Sequence, residues 1–139
     1  MNPADTFSLI ESMMKRMNVL YGATVFDEWA VVRTGRPATL AHYAGPRAEE
    51  FRRNFARDIV PLEREAADRS HEAGDFDFAR AATGTQIDAV LKLGSDSFLL
   101  CNNTQSSMDQ LRANPLWLKA QVPFVELSER VRAKPLIFG

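Results

Sequence analysis

One cysteine and two histidines are all that this 139-residue chain offers to thiol or imidazole chemistry. A lone Cys101 builds neither a disulfide framework within the chain nor a cysteine-rich zinc site. Long apolar runs are also missing. No stretch approaches the roughly 20 residues that span a bilayer, and Met1-Asn2-Pro3-Ala4-Asp5 lacks the basic and apolar regions of a secretion signal. Nor is there an excess of one charge: 17 Lys and Arg face 18 Asp and Glu, for a net charge of −1. So balanced a chain sets up no global field toward phosphate backbones or anionic lipid, and neither nucleic acid nor membrane is an expected partner. The seven glycines and seven prolines do not gather into a linker, so residues 1–139 are expected to form one domain. A reduced, cytoplasmic compartment is the matching expectation.

What the chain does have is ordinary globular material, 45% hydrophobic and 25% charged. A domain this long buries about two-thirds of its unfolded surface and needs no covalent staple. From Thr6 to Leu20 the apolar residues Phe7, Leu9, Ile10, Met13, Met14, Met17 and Leu20 recur at helical spacing, with Glu11, Lys15, Arg16 and Asn18 opposite. Asp5 is expected to cap this helix and Gly22 to end it. Residues 25–33 and 38–43 then read as a hairpin around Thr34-Gly35-Arg36-Pro37. Gly45-Pro46 is expected to open a second helix whose buried stripe is Phe51, Phe55, Ile59, Leu62 and Ala66, broken or kinked at Pro61.

After Gly74 the period becomes two. Asp75-Phe76-Asp77-Phe78 alternates, Thr83-Gly84-Thr85 turns, and Ile87 to Lys92 alternates again. Gly94-Ser95-Asp96 then leads into the unbroken apolar run Phe98-Leu99-Leu100-Cys101, as expected of a central strand covered on both faces. Ser106 with Asp109 approximates a capping box, and Pro115 and Pro123 divide the C-terminal helical region. The expected fold is α+β, with element order α-β-β-α-β-β-β-α and an antiparallel five-stranded sheet ordered 2-1-5-4-3 between helices.

That element order, with the Gly74-Asp75-Phe76-Asp77-Phe78 strand start and Leu93-Gly94-Ser95-Asp96 at the last hairpin, resembles the profilin-like architecture. Within it, the chain is similar in layout and length to the roadblock-type dynein light-chain family. PAS-type sensor domains share a comparable strand order. Two features depart from the roadblock pattern: Pro61 interrupts the middle helix, and residues 114–139 exceed a simple terminal helix. Resemblance to roadblock proteins implies a small homodimeric scaffold that pairs with GTPases or motor components. It carries over no catalytic residue and no cofactor.

Candidate chemistry is sparse. A nucleophilic pair of Cys101 and His42 would need an exposed, acidified thiol, whereas a cysteine ending an apolar run reads as an inert core residue. His71, Glu72, Asp75 and Asp77 could form a local metal cluster, but Asp75 and Asp77 also suit the wet side of a half-buried strand. Neither Gly-x-Ser-x-Gly nor a phosphate-cradling glycine motif occurs. Asn102-Asn103-Thr104 could line a ligand mouth or simply form a turn. Arg53, Arg57 and Arg64 form a stripe able to grip acidic groups of a partner, or a solvated helix face. The sequence thus favours a non-catalytic interaction or regulatory module, a homodimer that also binds another protein. The alternative is a small-molecule sensor with an apolar pocket lined by Phe51, Phe55, Phe78 and Phe98.

Overall fold

The computed structural model describes residues 1–35, 37–55, 57, 72–82 and 85–139. Within them the chain runs α1 (Pro3–Tyr21), β1 (Glu28–Arg33), β2 (Thr39–Ala44), α2 (Ala48–Asn54), β3 (Phe76–Ala82), β4 (Thr85–Gly94) and β5 (Ser97–Asn102). Three helical pieces follow: α3 (Met108–Ala113), α4 (Trp117–Ala120) and α5 (Val122–Ala133). The strands form one antiparallel sheet ordered β2-β1-β5-β4-β3, as the sequence led one to expect. All six residues of β5 are buried, which accounts for the unbroken apolar run at 98–101. Pro61, the rest of that helical stripe (Ile59, Leu62, Ala66) and the Thr83-Gly84 turn lie outside the described residues.

Alternation along the strands sorts the core into two layers. Trp29, Val31, Ala89, Leu91, Leu93, Leu99 and Cys101 face α1 and α5, meeting Ile10, Met13, Met17, Phe124, Leu127 and Val131. The three methionines of the α1 stripe are therefore core residues. On the other side Val32, Ala38, Ile87, Val90, Phe98 and Leu100 form a smaller cluster, covered in part by Phe51 and Phe55 of the α2 segment. Among the described residues, no helix is long and apolar enough to cross a membrane.

Local chemistry corrects several boundaries. The cap of α1 is Asn2, not Asp5: the Asp5 N–H donates to Asn2 Oδ1 at 2.8 Å, while Asp5 sits in the first turn. Gly22 closes the helix at φ 79°, a left-handed conformation that glycine adopts without steric cost. Strand β1 starts at Glu28 rather than Val25; Val25 and Phe26 are buried in the preceding loop. Pro46 precedes α2 without entering it, because Arg47 takes the capping position. The capping box belongs to Ser107 and Gln110, one residue later than the Ser106–Asp109 reading. Gln110 N–H donates to Ser107 Oγ at 3.2 Å, and Ser107 N–H returns a bond to Gln110 Oε1 at 3.0 Å. The C-terminal region is broken as anticipated, with Pro123 in the first turn of α5.

Candidate functional site

The unusual residue of β1 is Glu28, a carboxylate with no solvent exposure in a strand otherwise apolar up to Arg33. It shares a face with Ala30 and Val32, on the α2 side of the sheet. Register places it beside Asn102 of β5, and a hydrogen bond ties Asn102 to Asp88 of β4, so three polar residues are linked across the central strands. A buried carboxylate persists only if its oxygens are saturated with donors. Glu28 Oε1 accepts from Arg47 Nη2 at 2.8 Å and from Asn102 Nδ2 at 2.9 Å. Glu28 Oε2 accepts from the Tyr43 hydroxyl at 2.7 Å and from Arg47 Nε at 3.1 Å. The Arg47 fork is therefore bidentate, the strongest form of this pairing. Asn102 in turn accepts from the Asp88 N–H at 3.1 Å, and Asp88 Oδ2 accepts from the Asn103 N–H at 2.6 Å.

Burial alone would raise the Glu28 pKa, but hydrogen bonds from Arg47, Asn102 and Tyr43 and the Arg47 charge outweigh it and hold the carboxyl below its ordinary value. Burial, then the bond to Glu28, push the Tyr43 phenol up to about 12. The two groups thus act at opposite ends of the pH scale. Glu28, with its folded pKa depressed, stabilises the fold above about pH 4.5, and this is lost as pH falls through its lowered pKa. Tyr43, with its folded pKa raised, contributes fully below about pH 10, and this is lost as pH rises toward 12. Urea melts across that alkaline window should show stability falling between about pH 10 and 12 in the wild type, and falling less in Tyr43→Phe. Equal losses in both proteins would remove Tyr43 from the explanation.

The network fixes the route from β2 into α2. The Arg47 N–H donates to the Tyr43 hydroxyl at 3.1 Å, and the Tyr43 ring packs on Phe51 with centroids 4.8 Å apart. Gly45 lies so close to β1 that a Cβ there would sit 2.8 Å from Tyr43 Oη and 3.1 Å from Glu28 Cα. Held in this way, α2 and the outer strand β2 leave between them an open groove of about 270 Å³, lined by Leu40, Ala41, His42, Tyr43, Arg52 and Phe55. Along β2, Val31 opposes His42 and Val32 opposes Leu40, which leaves Ala41 as the extra residue of a bulge at the groove.

The residues singled out from sequence divide between the two faces. Phe51, Phe55 and Phe98 belong to the α2-side cluster. Phe78 lies on the opposite face, with its ring 5.3 Å from Trp117 and 5.0 Å from Phe124. The four rings therefore do not line one pocket, because β3 turns Phe76 and Phe78 toward α5 while Phe98 points to α2. Arg53 and Arg57 are exposed, and Arg64 lies outside the described residues. Cys101 is wholly buried, and burial followed by the nearby Asp88 charge pushes its thiol well up, away from the nucleophilic thiolate. The His42 ring is held between Phe7 and Trp29, at 4.8 and 4.7 Å.

Asn102, Asn103 and Thr104 are structural rather than free at a ligand mouth. Asn103 Nδ2 donates to Val25 O at 2.9 Å, its Oδ1 accepts from the Ser106 N–H at 2.7 Å, and Thr104 bonds Asp27 through both hydroxyl and N–H. Asp75 accepts from the Glu72 N–H at 3.2 Å and lies 3.6 Å from Arg132. Among the described residues no group of three or more His, Cys, Asp and Glu side chains is arranged to hold a metal, and His71 lies outside them. Sequence reasoning missed Glu28, Tyr43, Arg47 and Arg52. A single charged residue opening the run Trp29-Ala30-Val31-Val32 was the one available signal. Comparisons with protein-family models, curated proteins and solved structures find no match to this chain.

Proposed function

We propose that this chain is a non-catalytic interaction module that pairs with a second copy of itself and recognises another protein. One observation carries the proposal: the two margins of the sheet differ. On one side β3 runs for seven residues, Phe76–Ala82, paired with β4 in unbroken register. Among the described residues it has a strand on one side only. On the other side the bulge at Ala41 interrupts β2. Regular outer strands are templates for pairing along their whole length, bulged ones admit it over a short stretch at most, and a two-fold axis is the commonest way to satisfy a regular margin. The roadblock-type resemblance read from the sequence implies the same homodimeric scaffold.

Light scattering after gel filtration should give twice the 15.6 kDa chain mass at micromolar concentration. Amide exchange in residues 76–82 should slow as the protein is concentrated, since pairing hides those N–H groups. A particle that stays at one chain mass up to about 100 μM, a range that covers dimers with micromolar Kd, would sink the homodimer.

A further inference from the structure

We infer that the groove between β2 and α2 receives a short extended acidic segment of another protein, an inference that builds on the interaction-module reading and gives its partner a chemistry. Leu40, Ala41, His42 and Tyr43 line the groove in succession. Strand side chains alternate between faces, so a cavity that meets consecutive residues follows the backbone margin of the strand rather than either face. Because β2 is an outer strand among the described residues, that margin carries backbone N–H and C=O groups that the described sheet does not use. An extended peptide satisfies such groups by adding itself as a strand.

The opposite wall is supplied by Arg52 in α2 and Phe55 at its end, three residues apart and therefore neighbours on one helix side. A volume near 270 Å³ falls below that of a typical drug-sized pocket and suits one or two apolar side chains beside Phe55 and Leu40. Arg52 decides the charge. Arg16, Arg33, Arg47 and Arg132 each have a carboxylate within 4.0 Å; the exposed Arg52, Arg53, Arg112 and Arg130 have no described carboxylate against them, and of these Arg52 is the one that lines the groove. A guanidinium at the lip of a groove favours a partner carboxylate, which it can bind through two parallel bonds. The bulge at Ala41 limits regular pairing to a few residues, which suits a short segment and not a second full strand.

The probe is an acetylated, amidated hexapeptide alternating valine and glutamate, titrated into ¹⁵N-labelled full-length protein, with the valine–lysine peptide as its counterpart. Shifts are expected at the amides of 40–43 and 52–55, and the lysine peptide should bind about fivefold or more weakly, the scale of one exposed charge pair made or opposed. Arg52→Glu, checked as folded by its own spectrum, should reverse that order. Shifts confined to β3, equal binding of the two peptides, an unchanged preference in R52E, or no shift at millimolar peptide would each overturn the assignment. Solution mass measured on the same samples separates the two proposals: a monomer that binds the acidic peptide fails as a homodimer yet keeps this groove, and a dimer that ignores both peptides does the reverse.

Discussion

Arg47→Ala should lower the free energy of unfolding by about 3 kcal/mol, the low end of the roughly 3–5 kcal/mol lost when one partner of a buried ion pair is removed. Glu28 has no exposure, and two of its four hydrogen bonds come from the Arg47 fork. Without that fork the carboxylate keeps only Tyr43 and Asn102, too few to replace its hydration. The low end applies because the Arg47 side chain is 42% exposed, so water already screens part of the pair. Urea melts at neutral pH measure the loss. Arg47→Lys should recover only part of it, since an ammonium supplies the charge but not two parallel bonds. A further consequence follows from the position of Arg47 at the start of α2. The R47A chain should bind the valine–glutamate peptide more weakly, although Arg47 does not line the groove. A loss below about 0.5 kcal/mol, the scale of an ordinary surface substitution, would mean that the buried carboxylate is not what anchors α2.

Phe124→Ala should cost about 4 kcal/mol, within the range for removing a large aromatic ring from a core. Phe124 is fully buried, meets Phe76 edge-on at 5.3 Å and lies 5.0 Å from Phe78. Its loss forfeits both the transfer of the ring from water and these oriented aromatic contacts. The cavity would open where α5 meets β3, so the strand proposed to pair with a second copy should exchange its amides faster. Leu118→Ala is the matching control. Leu118 is 71% exposed, and its truncation should change stability by no more than about 0.5 kcal/mol. Similar losses in the two variants would contradict the placement of Phe124 inside the core and Leu118 outside it.

Much of the architecture was legible before any coordinates. The three- and four-residue spacing from Phe7 to Met17 marks one buried stripe because a helix repeats every 3.6 residues. The run at 98–101 marks a central strand because only a strand covered on both faces can be apolar at every position. Phe78 and Phe98 show where such reasoning ends. Alternation says that each ring leaves its strand on one side, but not which side of the assembled sheet that is. The cap of α1 passed from Asp5 to Asn2 because both residue types can cap, and the choice depended on where Pro3 could enter the helix.

Local preference, short-range and written in side-chain type, determined from the sequence alone that this chain would make helices and strands in this order, with β5 inside the sheet. Only the tertiary structure decided that Glu28 would be enclosed, that Arg47, Tyr43 and Asn102 would meet on it, and that β2 and α2 would leave a groove beside Arg52. Asn102 lies 74 positions from Glu28 along the chain. Contacts over such separations arise when strand register closes, and nothing in the neighbourhood of either residue encodes them.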